Sequence, residues 1–326
     1  MHILIANNSR IIIPVKEYGG TERHIWWLGK ELVKLGHEVS YLVAQGSSCP
    51  FAKRVLFYDP NRPVQEQIPD DVDFVHLHFQ ILGTLKKPYV ITHHGNFHQG
   101  AFDLNTIFVS RNHAMRHQST SFVFNGMDPD EYGEVNFDKK RQHLLFLAYA
   151  KRPEKNLKDC VHIAYHTGER LAVIGGRRRF DHNGWAWWVN YYGKIDRESK
   201  NKILNSSKAL LFPVLWHEPC ALTLIEALYF GLPVFGTTYG CLPDLIPNEV
   251  GFLSNSRQAL IDAVKRMGPF NPRKIHDYAC DQFSVKRMTQ DYLKKYEIVL
   301  NGQTLNLKAP RQPDNYIKDE LLPMYP

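Results

Sequence analysis

The chain has 326 residues, which is more than one ordinary hydrophobic core contains and about what two α/β domains require. Apolar residues make up 44% and charged residues 22%, and no run of about 18 apolar residues occurs, so neither a disordered chain nor a transmembrane helix is expected. The formal net charge of +7 favours anionic partners, but the basic residues are dispersed and the densest run, residues 177–179, holds only three arginines, so nucleic-acid binding is not expected.

The first half alternates strand-length apolar runs with helical patterns, which indicates an α/β domain with a mainly parallel sheet. Residues 2–6 are a short apolar run without a charged lead, so they predict a first strand and not a signal peptide. A helix is predicted over residues 21–35; Gly36 ends it, and Gly20 or Thr21 caps its start. Further strands are predicted at residues 39–43, 72–78, 89–92, 107–109 and 121–124.

A dense turn signal at residues 125–130 and a polar stretch at 131–142 predict a linker between two domains, residues 1–140 and 141–283. The second half repeats the α/β pattern. Four prolines and no periodicity make residues 303–326 an irregular tail, and residues 284–326 are expected to cross back to the first domain. The predicted strands are residues 143–148, 171–174, 188–192, 209–213 and 233–236, and the predicted helices are residues 222–230 and 284–300.

Five scattered cysteines contain no Cys-x-x-Cys pair, which is typical of reduced thiols in a cytosolic protein. A cytoplasmic location is therefore expected. The positive charge leaves peripheral contact with the acidic inner face of a membrane as a further alternative.

Two glutamates, Glu218 and Glu226, flank the predicted start of the helix at residues 222–230. Positions at this spacing lie about 80° apart around a helix, so they cannot share one face. The spacing makes sense if Glu218 lies in the loop before the helix and Glu226 lies two turns inside it. The N–H groups near Ala221 and Leu222 would then form a helix N-terminus that binds phosphate, with a carboxylate on either side to accept hydrogen bonds from sugar hydroxyls. The alternative is a capping Glu218 and a solvated Glu226.

This segment resembles the E-x7-E element of family 4 glycosyltransferases, which usually reads Glu-Pro-Phe-Gly-Leu-x-x-x-Glu-Ala. Six further segments resemble that family in its own order and extend the likeness over about residues 1–300. They are the glycine-rich loop at 19–24 with Gly-His-Glu-Val at 36–39, the histidine-glycine strand end at 90–95, the Asn-Gly-Met-Asp turn at 125–128, Pro-Glu-Lys-Asn at 153–156, Gly-Leu-Pro-Val at 231–234, and Gly-Cys-Leu-Pro-Asp-Leu-Ile at 240–246.

The resemblance implies the α/β fold called GT-B: two Rossmann-like domains with parallel sheets that face each other across a cleft, with the donor held mainly by the second. It implies a metal-independent, retaining transferase. Carried over by position, Glu226 would bind the donor ribose, Glu218 the donor sugar, and Lys155 the diphosphate. The family's usual Gly-Arg aligns with Tyr149 and Ala150 here, so Arg152 or Lys151 is expected to substitute for that arginine.

From the first domain, the resemblance implies that the Gly19-Gly20 loop approaches the diphosphate, because residues without a Cβ allow such close approach. His94 would lie beside the reacting sugar; its alternative is a buried histidine bonded to backbone at a strand end. His76 and His78 share one strand face, and His93 and His94 follow, a pattern that zinc could use. No cysteine or carboxylate joins them at ligand spacing, so no metal and no cofactor besides the co-substrate is expected.

The sequence therefore predicts a glycosyltransferase that moves a sugar from a nucleotide diphosphate, UDP or GDP, to a hydroxyl of a carbohydrate, glycolipid or small-molecule acceptor. Breaking the sugar–diphosphate bond develops negative charge, which lysine, arginine and oriented N–H donors must meet in the absence of a metal. Cysteine and alanine replace the family's Phe-Gly at Cys220 and Ala221, which leaves two alternatives open. One is a sugar-nucleotide epimerase of the same fold, and the other is a nucleotide-sugar-binding protein that has lost catalysis.

Overall fold

The computed structural model describes residues 1–15, 19–176, 187–313, 317 and 320–326. Internal contacts divide the chain into two units, Met1–Asp128 with Phe283–Tyr316, and Pro129–Gln282 with Ile317–Pro326. The division falls between Asp128 and Pro129, within the turn signal, so the predicted linker at residues 131–142 lies in the second unit. The arginine run at residues 177–179 lies outside the described residues.

The first unit forms a parallel sheet in the order β3-β2-β1-β4-β5-β6, counted over its described residues. Its strands are β1 (His2–Ala6), β2 (Glu38–Val43), β3 (Arg54–Phe57), β4 (Phe74–Leu77), β5 (Tyr89–His93) and β6 (Thr106–Phe108), and its helices are α1 (Gly20–Lys34), α2 (Arg111–Arg116) and the later α9 (Val285–Leu300). The strands β1 and β4 are buried along their whole length, as expected of parallel strands covered on both faces.

The strand order in this sheet reverses at β1. The strands β2 and β3 are added on one side of β1, and β4, β5 and β6 are added on the other. The loops that follow β1 and β4 therefore leave the sheet at a topological switch point, where open α/β sheets usually bind ligands.

The predicted strands β1, β2, β4, β5 and β6 and the predicted helix α1 are confirmed to within two residues, whereas β3 and α2 were not predicted. The predicted strand at residues 121–124 is wrong. Only Phe122 pairs, in one bridge with Phe108, because β6 ends there and offers no further partner. The predicted cap of α1 is also wrong: Gly19 is the N-cap, one residue earlier, and it offers no side chain for capping.

The second unit repeats the arrangement with a parallel sheet in the order β12-β11-β10-β7-β8-β9, again within the residues described. Its strands are β7 (His143–Leu147), β8 (Leu171–Ile174), β9 (Val189–Gly193), β10 (Ser207–Phe212), β11 (Val234–Gly236) and β12 (Gly251–Leu253), and its helices are α3 (Leu157–Thr167), α4 (Arg197–Asn205), α5 (Leu222–Tyr229), α6 (Leu242–Leu245), α7 (Arg257–Arg266) and α8 (Pro272–Phe283), whose last residue belongs to the first unit.

The switch point of this second sheet lies between β7 and β10. The loops after these two strands, residues 148–156 and 213–221, are joined by hydrogen bonds. The Leu215 N–H donates to the Glu154 carbonyl at 2.8 Å, and the Asn156 side-chain amide donates to the Pro213 carbonyl at 2.9 Å. The same amide donates to Asp159 at 2.7 Å, which ties the first loop to α3.

The predicted strands and helices of the second half are confirmed. The edge strand β12 and the helices α3, α4, α6, α7 and α8 were not predicted. Within its described residues, the tail forms only isolated bridges, at Arg311 and Tyr325. All five cysteines are free thiols. Across the described residues, no helix is both long enough and apolar enough to cross a membrane.

Candidate functional site

A buried ion pair occupies the switch point of the second unit. Lys155 follows β7, and its Nζ lies 2.5 Å from Oε2 of Glu218, which follows β10. Their side chains are only 13% and 8% exposed. Two charges taken out of water in this way depend on one another, because removal of either leaves the other buried and uncompensated. The structure thus brings together two of the residues that the sequence predicts to be catalytic.

The indole of Trp216 completes this pair. Its Nε1–H donates to Oε2 of Glu218 at 2.8 Å, and the Lys155 ammonium lies 4.6 Å from the centre of an indole ring. Cation–π attraction and the hydrogen bond fix the positions of both charged groups. Sequence reasoning missed Trp216, although a tryptophan two residues before a predicted site carboxylate, in the same loop, was a usable signal.

Arg152 extends the positive charge of the site. Its guanidinium lies 5.8 Å from a Trp216 ring centre, and its Nε is 2.6 Å from Oε1 of Glu154. The side chain is half exposed, so it remains able to reach an anion. Lys151 is exposed. Of the two basic residues expected to substitute for an arginine at this loop, Arg152 is the one that contacts the same indole, Trp216, as Lys155.

The N-cap of α5 lies three residues after Glu218, as the spacing predicts. Ala221 is the N-cap in an extended conformation, and an alanine has no side-chain group that can cap the helix. Ala221 and Leu222 are both partly exposed. A helix start of this kind offers backbone N–H groups and the positive end of the helix dipole to an anion.

Glu226 lies in the second turn of α5 and is 7% exposed, so the alternative of a solvated side chain is excluded. Its Oε1 accepts hydrogen bonds from the Tyr132 hydroxyl at 2.6 Å and from the Lys200 ammonium at 2.7 Å. Tyr132 and Lys200 were not predicted, because they lie 94 and 26 residues from Glu226 in sequence and belong to no recognisable motif.

The backbone of Glu218 is held by the loop at Gly240. The N–H of Cys241 donates to the Glu218 carbonyl at 2.8 Å. Gly240 has φ +64°, and a Cβ at that position would lie 2.2 Å from the Glu218 nitrogen. Only glycine therefore permits this approach, which explains the glycine at the start of the segment at residues 240–246.

We expect Gly240→Ala to destabilise the protein more than Gly133→Ala does. Gly133 has a similar φ of +69°, but a Cβ there would meet nothing within 4 Å. The control should lose about 1–2 kcal/mol from the left-handed backbone alone, and Gly240→Ala should lose about 1–3 kcal/mol more from the clash with Glu218. Urea unfolding of both variants measures the difference, and equal losses would show that the clash is relieved elsewhere.

In the first unit, Gly19 and Gly20 form the start of α1. Gly19 has φ +156° and is buried, and Gly20 is exposed. A Cβ on Gly19 would lie 2.8 Å from Oε2 of Glu22, a buried carboxylate to which the Asn7 side chain donates a hydrogen bond. This helix start therefore already has a side-chain carboxyl group beside it, which the sequence pattern did not indicate.

His94 lies just after β5 and is partly exposed. Its Nε2 is 2.8 Å from Nδ1 of His78, so its partner is a side chain and not the backbone expected in the alternative interpretation. Burial, and then the neighbouring His24, lower the pKa of His94 well below its usual value, so the ring is neutral at pH 7. His76 instead lies between Tyr296 and Thr92, with a ring nitrogen 2.7 Å from each hydroxyl, and His93 packs against Phe102.

Comparison with known proteins adds a match of part of the chain to a family model, and a fold, to this geometry. Residues 135–267 match the family model described as Glycosyl transferases group 1. That stretch contains Arg152, Lys155, Glu218 and Glu226, whereas Gly20 and His94 lie outside it. In sequence, no curated protein matches the chain.

Three solved structures are similar in fold. AviGT4, a glycosyltransferase involved in avilamycin A biosynthesis, is 21% identical with a TM-score of 0.77, over 93% of this chain and 99% of that one. A glycosyltransferase from Rickettsia africae ESF-5 is 14% identical with a TM-score of 0.71, over 93% and 99%. Anabaena Alr3699/HepE in complex with UDP and glucose is 14% identical with a TM-score of 0.67, over 91% and 99%. The chain thus has the α/β fold of GT-B glycosyltransferases, with two parallel sheets.

Proposed function

We propose that this protein is a retaining glycosyltransferase that moves a sugar from a nucleotide diphosphate to an acceptor hydroxyl without a metal ion. The observation that carries the proposal is the buried Lys155–Glu218 pair beside the uncapped start of α5. A cation, a carboxylate and a helix N-terminus at a sheet switch point together suit a ligand with both an anionic diphosphate and a hydroxyl-rich sugar. The match of residues 135–267 to glycosyl transferases group 1 supports the same class.

The proposed reaction breaks the bond between the anomeric carbon and the diphosphate oxygen while the acceptor oxygen bonds to that carbon from the same face. The acceptor proton passes to the departing diphosphate oxygen, so no nucleophile from the enzyme is needed and the anomeric configuration is retained. Negative charge grows on the leaving group during this step. Lys155, Arg152 and the N–H groups at Ala221 and Leu222 are proposed to offset that charge, which is the largest contribution such a site makes to catalysis.

Two carboxylates are proposed to bind the donor on either side of the diphosphate. Glu218 accepts hydrogen bonds from the sugar hydroxyls, and Lys155 and Trp216 keep its carboxylate fixed. Glu226 accepts from the ribose through Oε2, since Tyr132 and Lys200 both engage Oε1. His94 is proposed to act beside the reacting sugar as a neutral imidazole.

The donor is proposed to carry UDP or GDP, and the acceptor to be a carbohydrate, glycolipid or small metabolite. The Anabaena protein of the same fold binds UDP and glucose in its crystal structure, which supports a nucleotide-sugar donor. A peripheral position on an acidic membrane surface is proposed only for a glycolipid acceptor, because a lipid substrate requires the enzyme to work there.

A panel of nucleotide diphosphates and their sugars tests the proposal, with thermal unfolding and donor hydrolysis measured in EDTA. One base should raise the unfolding temperature selectively, because a ligand at about 100 times its Kd stabilises the folded state by about 2.7 kcal/mol. Slow hydrolysis with a retained product anomer, read by NMR, is expected for the matching sugar. Stabilisation without turnover toward water or any acceptor class would identify a binding protein instead. No stabilisation by any member would overturn the proposal.

A further inference from the structure

Three histidines from separate elements meet at the switch point of the first unit. His24 lies in the second turn of α1, His78 directly follows β4, and His94 follows β5. The ring centroid of His24 lies 5.4 Å from that of His78 and 5.1 Å from that of His94. The centroids of His78 and His94 are 5.1 Å apart. One nitrogen from each ring lies within 4.8 Å of the other two. We call these three residues the histidine triad.

The ring nitrogens of the triad are the kind of group that binds a metal ion, and one of them is buried without a partner. His24 and His78 are buried, and Nε2 of His78 is buried with no hydrogen-bond partner in the part of the chain that the structure describes. An orphaned buried nitrogen carries a desolvation cost that a bound ion would remove.

The surroundings of the triad hold its rings in place and leave a route to solvent. Nε2 of His24 lies 3.2 Å from the Tyr292 hydroxyl, which is also bonded to Thr92. Such outer contacts fix the tautomer and orientation of metal-bound histidines. His94 is partly exposed, so an ion can reach the triad from its side.

We propose that the histidine triad binds one divalent ion of the late first-row transition series, with Zn²⁺ the expected occupant. Imidazole nitrogen suits Zn²⁺, Ni²⁺ and Cu²⁺, and three histidines with a water in the fourth position form a tetrahedral site. Nitrogens around Zn²⁺ at about 2.0–2.1 Å lie roughly 3.3 Å from each other. One nitrogen from each ring of the triad lies within 4.8 Å of the other two, so ring rotations bring the three to that spacing.

The transfer proposed above needs no metal. It shares His94 with the triad, but uptake of an ion is measured without donor or acceptor, so the inference is tested independently of that reaction. The alternative to metal binding is that the triad has only a structural role. In that case His78 and His94 share one hydrogen bond, and His24 packs against them edge-on. The two differ in one respect that can be measured, which is whether the protein takes up one ion tightly through these three side chains.

The test uses the full chain without a polyhistidine tag, stripped with chelator and titrated with Co²⁺, a spectroscopic substitute for Zn²⁺. One equivalent should produce the visible absorption bands of four-coordinate Co²⁺, and Zn²⁺ should displace them. Competition against a chromophoric chelator then gives the Zn²⁺ affinity. His24→Gln, His78→Gln and His94→Gln, on three different elements, should each weaken Zn²⁺ binding by about 100-fold or more and abolish the Co²⁺ bands.

A matched control is present on α3, where His162 and His166 are exposed with ring centroids 4.2 Å apart. Two histidines at this spacing bind metal weakly, so the double variant His162→Gln, His166→Gln should leave the tight site unchanged. Circular dichroism of each metal-free variant shows whether it is folded. Tight uptake that persists in the folded triad variants, or no tight uptake by the parent chain, would overturn the proposal.

Discussion

Lys155→Met should lower the rate of sugar transfer by about 100-fold to 1000-fold, the effect of removing one preorganised group that meets charge developing in a transition state. Methionine keeps the length and apolar character of the lysine stem but removes its charge. The ammonium lies 2.5 Å from Glu218 in a pair that is largely buried, so water cannot replace it. The measurement is kcat for the donor identified by the nucleotide panel, with KM determined separately.

A second ion pair in the same unit provides the control. Lys208 lies 2.7 Å from Glu169, with more exposed side chains. Lys208→Met removes the same charge from the unit and should leave kcat within about twofold, because surface ion pairs contribute at most about 1 kcal/mol. Equal losses in the two variants would mean that only the overall charge matters, and an unchanged kcat in Lys155→Met would remove Lys155 from the reaction.

The loss of folding stability in Lys155→Met must be separated from its loss of catalytic rate. Breaking a buried ion pair costs about 3–5 kcal/mol, since the remaining charge is left unpaired. The double variant Lys155→Met, Glu218→Gln removes both charges and should recover part of that loss. Its activity should stay as low as that of Lys155→Met, and a recovery of activity together with stability would show that Lys155 acts only by supporting the fold.

Much of the fold could be predicted from the sequence because parallel strands buried on both faces are continuous apolar runs. The strand at residues 171–174 is an example, and it was predicted with its bounds. The edge strand Gly251–Leu253 was not predicted, because it is short and begins with a glycine. The predicted strand at residues 121–124 failed for a different reason. Its composition favours a strand, but a strand also needs a partner, and β6 supplies only Phe108.

The candidate site was predictable to the extent that its residues lie in local motifs. Lys155 and Glu218 belong to such motifs, and the helix start between Glu218 and Glu226 follows from helix geometry. Tyr132 and Lys200 belong to no such motif, and the motif at residues 19–24 does not indicate that His24 meets His78 and His94. Each becomes a neighbour of its site only when distant segments pack together, and a single sequence contains no signal for that distance.

Glu226→Ala should weaken binding of the nucleotide diphosphate by about 1.5–3 kcal/mol, the cost of losing hydrogen bonds to a charged group. This corresponds to a Kd higher by about 10-fold to 150-fold. The structure adds a second effect, because the ammonium of Lys200, with a side chain 15% exposed, loses its carboxylate partner. The variant should therefore also unfold more easily, and calorimetry must be performed well below its unfolding temperature.

Two variants separate the ribose contact from support of the fold. Tyr132→Phe removes one hydrogen bond to Oε1 and leaves the carboxylate in place, so it should reduce stability while nucleotide affinity changes by no more than about threefold. Glu218→Ala should lower turnover of the intact donor but leave affinity for the free nucleotide nearly unchanged, since its proposed contact is the sugar. If Tyr132→Phe weakened nucleotide binding as much as Glu226→Ala, the carboxylate would act only by holding the loop at Tyr132. If Glu226→Ala, still folded, bound the nucleotide like the parent chain, the ribose would bind elsewhere, and the buried Glu226 would be a structural anion for Lys200.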